Sequence, residues 1–314
     1  MQVSRQSATE TLNEIASFRP ALKSILDAFA PLLEARDALA QEVMADLKNR
    51  QITLPACQAS RLSLGVSLLS DQDLPDLGDS YAKVAQALVP QLEKIPALSQ
   101  LPTPLAQVFQ ALSVEEQKTL CEAVCTNSPK LLTELATKYQ LDTLVLNLAA
   151  SFVVSTLLRG LCKASFEADQ EKPWDTNNIW QKGYCPVCGS YPVLAWLDKP
   201  VIDERNTYLH EGGGRKHLYC GICGSDWRFL RLACPACGVS QSRQIEILTE
   251  ETNTHGEALD WCTKCKSYCP TVDMRERINI PHLDAQALGM LHLELIAWEK
   301  KLKPLRASFW NTFA

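Results

Sequence analysis

The sequence predicts an α+β protein: an all-helical N-terminal domain, two small zinc-ribbon β modules, and a C-terminal helix. Three observations carry that reading. Apolar residues recur three and four positions apart through much of residues 1 to 170, the spacing of a buried helix face. Four Cys-x-x-Cys pairs then fall within residues 185–265: Cys185/Cys188, Cys220/Cys223, Cys234/Cys237 and Cys262/Cys265. Short β-like runs at 191–197 and 227–232 lie between these pairs.

In the helical half, Leu22, Ile25, Leu26, Phe29, Leu32 and Leu33 start a stripe that Leu39, Val43 and Leu47 continue. Pro31 sits within it and predicts a kink. Residues 49–79 lose the periodicity at Pro55, Gly65, Pro75 and Gly78, with a short helix expected over 62–69. Val84, Leu88 and Leu92 share a face of a helix over 81–95, and Pro102 and Pro104 precede another near 104–112. Ser113-Val-Glu-Glu116 has the form of a capping box, Ser113 as N-cap and Glu116 reaching back. Ser128-Pro129 starts a further helix, with proline at the first helical position. Asp142 caps the next, whose uncharged run covers residues 143–158. That run is shorter than the roughly 20 residues a spanning helix needs. Asn147, Ser151, Ser155 and Arg159, four apart, draw a polar stripe along it. It reads as a core helix, not a membrane span, and an antiparallel bundle buries these stripes economically.

The polar stretch 167–178 reads as a hinge. The expected division is a helical domain over 1–170, a hinge over 171–183, tandem four-cysteine metal modules over 184–277, and a C-terminal helix with an aromatic tail over 278–314. In that last part Leu288, Leu291, Leu295, Trp298 and Leu302 form one stripe, expected to pack back onto the bundle or the hinge. Phe309, Trp310 and Phe313 make the tail.

Two thiols three residues apart curl around one cation, and two such knuckles complete a four-cysteine site. Four knuckles therefore predict two metal ions, with Cys185, Cys188, Cys220, Cys223, Cys234, Cys237, Cys262 and Cys265 as ligands. Gly189, Gly224 and Gly238 each follow a second cysteine, where φ > 0 is commonly required. Pro186 and Pro235 pre-form two of the bends. Sequential pairing, 185/188 with 220/223 and 234/237 with 262/265, lets each ribbon form locally; an interleaved cross-brace is the alternative. Eight thiolates fill two sites and leave no open position, so the metal is expected to be structural rather than catalytic. Iron and zinc both accept four thiolates.

The chain has 314 residues and 13 cysteines, is 46% hydrophobic, and carries a formal charge of −5. A mildly acidic chain is not built for non-specific nucleic-acid binding. Residues 1–13 lack the apolar core of a signal peptide, and unpaired thiols fit a reducing compartment: the cytoplasm is expected. Cys57, Cys121, Cys125 and Cys162 read as small buried hydrophobes; Cys269 is a spare thiol beside the second site. His217 is an available but unneeded ligand. His210 and Gly212-Gly213-Gly214 lie in a hairpin tip, with no phosphate-loop context. A turn is expected over 252–256. Arg215, Lys216, His217, Arg228 and Arg231 interleave with Tyr219, Trp227 and Phe229. That mixture suits either an interaction surface or a hairpin whose aromatics pack on the knuckles. No catalytic constellation emerges, and the chain is not expected to be an enzyme.

The run Tyr184-Cys-Pro-Val-Cys-Gly-Ser190, then Leu218-Tyr-Cys-Gly-Ile-Cys223, Asp226-Trp227, Arg228-Phe-Leu-Arg-Leu-Ala-Cys234 and Cys262-x-x-Cys265-x-x-Tyr268 resembles the formate dehydrogenase accessory proteins of the FdhE type. The close match covers 184–277; the insert at 189–219 is long and the N-terminal half diverges. The resemblance implies a helical domain followed by two rubredoxin-like metal modules, with the eight knuckle cysteines as ligands and iron as the favoured metal over zinc. It implies a cytoplasmic chaperone-like factor that binds the catalytic subunit of formate dehydrogenase and supports its maturation. A rubredoxin-like electron-transfer protein is the alternative, and a zinc-ribbon nucleic-acid binder a weaker one.

Overall fold

The fold is described from a computed structural model. It describes residues 5–72, 74, 75, 77, 79–92, 95, 105–166, 170, 172–199, 214–241, 243–250, 255–308 and 311. Gly78, Pro102, Pro104, His210, Gly212, Gly213, Phe309, Trp310 and Phe313 lie outside the described residues, as do three positions of the expected turn at 252–256.

Helix α1 (Ala8–Phe18) opens on a capping box of Ser7 and Glu10. α2 (Lys23–Asn49) runs unbroken past Pro31, which faces solvent. A proline on the outer face loses one hydrogen bond without disturbing the packed side. Its core face carries Leu26, Phe29, Leu32, Leu33, Val43 and Leu47. α3 (Ala59–Leu64) ends at Gly65, whose φ of +83° stops the helix one turn earlier than the apolar run suggests. α4 (Ser80–Leu92), α5 (Leu105–Ala111), α6 (Val114–Thr126) and α7 (Pro129–Lys138) follow. The Ser113/Glu116 box caps α6 as the pattern requires. Asp142 accepts from the Leu144 and Val145 amides to start α8 (Thr143–Ser165). α8 is the helix among the described residues long and apolar enough to cross a membrane, yet 78% of its most apolar window is buried inside the protein. It packs most heavily on α2 and α4 and is the axis of the helical half.

The strands are β1 (Leu194–Leu197), β2 (Lys216–Tyr219), β3 (Asp226–Phe229), β4 (Ile245–Leu248), β5 (Glu257–Cys262), β6 (Ser267–Asp273) and β7 (Lys303–Pro304). The sheet order is β3-β2-β1-β6-β5-β4, with β7 on β6. Each ribbon contributes an antiparallel set, β1-β2-β3 and β4-β5-β6. The two sets join through a parallel pairing of β1 with β6, Ala195 opposite Thr271 and Leu197 opposite Asp273. The ribbons are therefore two halves of one sheet.

Residues 172–183 form a packed strap. Trp174 and Trp180 are buried, and their indole N–H groups donate to the Asp226 and Tyr184 carbonyls at 2.9 Å. A β-carbon on Gly183 would lie 2.0 Å from the Pro235 carbonyl oxygen, so the strap also seats the third knuckle.

The expected C-terminal helix is two helices, α9 (Leu283–Gly289) and α10 (Leu291–Glu299), divided at Met290. The break rotates the stripe. Leu288 and Leu291 stay buried, but Leu295 and Trp298 are 45% and 51% exposed; Leu293 and Ala297 face the core instead. These residues cover the sheet from above together with Met290, packing on Leu194, Tyr219, Leu259 and Val272. α9 also packs on α1 and α2, so the C-terminal pair lies between sheet and bundle.

Candidate metal centres

The four knuckles share one backbone geometry. The residue after each second cysteine donates its amide back to the carbonyl of the first: Gly189 to Cys185 (3.0 Å), Gly224 to Cys220 (3.0 Å), Gly238 to Cys234 (2.9 Å) and Lys266 to Cys262 (2.8 Å). All four donors have φ between +62° and +79°. Three are glycine, as that conformation favours; the fourth is lysine, held in the left-handed region.

This geometry brings the thiols together as two sequential groups, Cys185/188/220/223 and Cys234/237/262/265, each with all sulfurs within 4.8 Å of one another. Cross-pair distances are 3.4 Å for Cys185–Cys223 and 3.5 Å for Cys188–Cys220 in the first group. They are 3.6 Å for Cys234–Cys265 and 3.8 Å for Cys237–Cys262 in the second. Bonds of about 2.3 Å to a tetrahedral centre put sulfurs about 3.8 Å apart. The spacing suits a single ion in each group, and an all-sulfur donor set suits zinc or iron. A multi-iron cluster divides the four thiolates among more than one metal and would need some of the sulfurs farther apart.

Electrostatics favour thiolates at selected positions. Burial pushes the Cys223 thiol up, but hydrogen bonds from Cys162, Cys185, Cys188 and Cys220 outweigh it and hold it well below the usual thiol range. At Cys265 burial is likewise overcome, by the Ser267 hydroxyl and amide, bringing that thiol to about 7.

The two groups differ in surroundings. The first is enclosed: its four cysteines are 0–7% exposed and belong to the same apolar core as the bundle. The irregular segment after α3 holds its first knuckle. The Leu68 and Leu69 amides donate to the Pro186 and Val187 carbonyls (2.8 and 2.9 Å), and the Ser67 hydroxyl donates to the Cys185 carbonyl (2.8 Å). Two further thiols belong to the same core, Cys125 on α6 and Cys162 on α8, the latter accepting from the Ser225 hydroxyl (3.9 Å). Nothing in their sequence context sets them apart from ordinary core cysteines. The second group lies at the surface, with Cys237 exposed and Cys265 half-buried. Cys269 donates to the Pro270 carbonyl (3.5 Å).

A buried charge cluster clamps the first group to the rest of the chain. Asp284 on α9 accepts from Arg36 on α2 (2.8 Å), Arg159 on α8 (2.9 Å) and the Tyr219 hydroxyl (2.9 Å). Arg159 also donates to Ser155 and to the carbonyl of Gly221, inside the second knuckle, both at 2.8 Å. Burial alone would raise the Asp284 carboxyl, but Arg159 and Arg36 hold it below the usual carboxylate range. Arg306 ties the Val124 carbonyl of α6 (2.6 Å) to the Ser190 hydroxyl behind the first knuckle. The polar stripe on α8 showed in the sequence; Arg36, Asp284 and Arg306 did not, because a single charged residue carries no spacing signal.

Asn147, Ser151 and Ser155 face a cavity of about 290 Å³ between α8, the second knuckle and the C-terminal segment, otherwise lined by groups such as Leu148, Phe152 and Ile222. On the opposite side Trp174, Trp180, Arg215, Arg228, Phe229 and Arg231 line an open groove of about 600 Å³. The interleaved basic and aromatic residues thus divide between surface and interior. Trp227 and Tyr219 are core, Lys216 pairs with Asp260 (2.6 Å), and His217 stacks on Trp196 and bonds Asp198 (3.1 Å) rather than a metal.

A helical bundle clamped onto a ribbon sheet with two four-cysteine groups defines the class: an α+β protein with two sites able to hold a metal ion. Within that class the chain is similar to FdhE proteins. The Aquifex aeolicus protein FdhE homolog is 28% identical over 131 residues, covering 41% of this chain and 42% of that protein. The Shewanella baltica homolog is 26% identical over 124 residues, covering 40% and 36%. The matched segments thus span less than half the length of these relatives. The crystal structure of the FdhE protein from Pseudomonas aeruginosa superposes with a TM-score of 0.59 over 97% of this chain and 94% of that one, at 17% identity, a likeness of fold. No protein-family model matches. The resemblance to FdhE-type proteins holds in sequence and in fold.

Proposed function

We propose that the chain is a cytoplasmic, non-catalytic accessory factor that binds the catalytic subunit of formate dehydrogenase and supports its maturation. The observation that carries this is the joint likeness to FdhE proteins, partial in sequence and near full length in fold. Cys185, Cys188, Cys220 and Cys223 hold one metal ion, and Cys234, Cys237, Cys262 and Cys265 a second; iron is favoured by the resemblance, and zinc fits the same donors. The helical domain (1–170) and the strap (171–183) serve as scaffold, the metal modules (184–277) as docking surface, and the C-terminal part (278–314) as clamp. The groove at Arg228, Phe229 and Arg231 is a suitable seat for an acidic, apolar segment of the client.

The test is an anaerobic affinity pull-down from native cytoplasm read by mass spectrometry, with Cys185→Ser and Cys234→Ser alongside. A formate dehydrogenase catalytic subunit should be recovered by the wild type and lost with the metal in both variants. Recovery of only unrelated proteins or nucleic acid overturns the reading. A second reading, electron transfer, draws on the exposed Cys237, which brings the second centre to the surface. A reversible one-electron couple in voltammetry supports it; zinc at both centres eliminates it.

A further inference from the structure

Arg306 is 5% exposed and carries a positive charge that no carboxylate among the described residues meets. Its Nη1 and Nη2 donate to the Ser190 hydroxyl and the Val124 carbonyl, both neutral. The neighbouring buried guanidiniums are matched: Arg36 by Asp37 and Asp284, Arg159 by Asp284. Three arginines thus meet two carboxylates, and the unmatched charge is the one on Arg306. A buried charge is costly unless an opposite charge faces it. Arg306 also lines the cavity of about 290 Å³ beside α8, whose body Leu33, Leu132, Leu148, Phe152, Val193 and Ile222 make apolar. Asn147 offers a further donor there: its Oδ1 accepts from the Ser151 hydroxyl (3.4 Å), while its Nδ2 donates to no described group. Pro129 and Leu144 belong to the lining and are exposed, so the cavity opens to solvent beside the starts of α7 and α8.

We propose that this cavity binds a small apolar monocarboxylate, its hydrocarbon part among the apolar walls and its carboxylate on Arg306. An apolar body with a few placed polar groups is the make-up of a small-molecule site, and the volume lies at the lower end for such sites, about 300 Å³. The ligand's carboxylate supplies the charge that Arg306 lacks and accepts charge-assisted hydrogen bonds from it. A neutral ligand of the same shape leaves that charge unmet. An inorganic anion gains nothing from the apolar walls. The cavity is separate from both cysteine groups, and its occupancy does not depend on which client the chain serves.

The test is calorimetric titration of the full chain, as purified, with octanoate and with octanol, which shares the chain but not the charge. Octanoate should bind, and octanol at least about tenfold more weakly, the loss expected when a charged hydrogen-bond partner becomes neutral. Arg306→Met should weaken octanoate by a similar factor and leave octanol unchanged. Leu132→Trp, which fills the apolar body, should weaken both. Metal content is recorded for every variant. No octanoate binding, or octanol binding as tightly as octanoate, overturns the proposal. So does an Arg306→Met variant that loses metal yet keeps its octanoate affinity, since the arginine then serves the first cysteine group and not a ligand. Should Arg306→Met fail to fold, a crystal structure of the wild type with octanoate carrying a terminal bromine decides. Bromine density among Leu132, Leu148 and Phe152 with the carboxylate on Arg306 supports the proposal, and bromine elsewhere or absent refutes it.

Discussion

Asp284→Ala is the perturbation that most directly tests how the metal sheet is held to the bundle. The carboxylate is 3% exposed and accepts three donors, from Arg36, Arg159 and Tyr219. Without it Arg36 keeps Asp37 at 2.8 Å, a partly exposed partner. Arg159 keeps Ser155, Tyr219 and the Gly221 carbonyl, but none of these carries charge. Removing one partner of a buried pair and stranding the other typically costs about 3–5 kcal/mol, a large share of the roughly 5–15 kcal/mol that stabilises a domain. Urea unfolding of the metal-loaded chain measures it. The Arg159→Met background isolates the ion pair, since no guanidinium is then stranded there. In that background the loss from Asp284→Ala should fall by about 2 kcal/mol, within the range seen for contacting pairs. A loss below about 1 kcal/mol, or the same loss in both backgrounds, would refute the argument that this pair clamps the sheet.

Other consequences follow from single positions. Lys266 holds φ +62° where the other knuckles have glycine, and its ammonium stacks over Trp261 at 5.0 Å. Both Lys266→Gly and Lys266→Ala lose the stack, but only glycine relieves the left-handed backbone, so glycine should be the more stable by about 1 kcal/mol; alanine ahead of glycine in thermal unfolding counts against it. Glu294 is 2% exposed, and burial pushes its carboxyl from 4.5 to about 7 against the Tyr268 and Asn311 hydrogen bonds. Between those values the native state binds the extra proton, so stability falls as pH rises from about 4.5 to 7, by about 3 kcal/mol. Glu294→Gln should flatten that part of the profile, and an unchanged slope would show that another group sets it. If both centres are loaded, a chelator should remove one metal per chain readily, through exposed Cys237, and the second only as the enclosed core opens. Simultaneous release of both ions would contradict the difference in burial.

What was legible in the sequence was whatever repeats over a few residues. The knuckles, the Ser113 box, the Asp142 cap and the α2 stripe are local patterns, and each sits where its spacing placed it. What escaped depends on distant partners. The segment around Ser67 and Leu68 lacks periodicity because it is neither helix nor strand, yet its amides hold the first knuckle. The β1–β6 pairing joins positions 76 residues apart and leaves no mark on either strand. Leu295 and Trp298 fall on the apolar stripe of an unbroken helix; the division at Met290 turns them outward.

The parallel strand pair also imposes an order in time. Translation delivers all four thiols of the first centre by residue 223, while strand β6, Asp284 and Arg306 are still to be synthesised. Chains emerge at roughly 5–20 residues per second, N-terminal parts first. The nascent chain therefore spends several seconds with a complete first ribbon but no strand to pair with β1 and no carboxylate to hold Arg159. Metal captured in that interval would pre-form the hairpin on which the remaining strands assemble. A chain that reaches residue 273 with its first ribbon empty must instead order the ribbon and the sheet together.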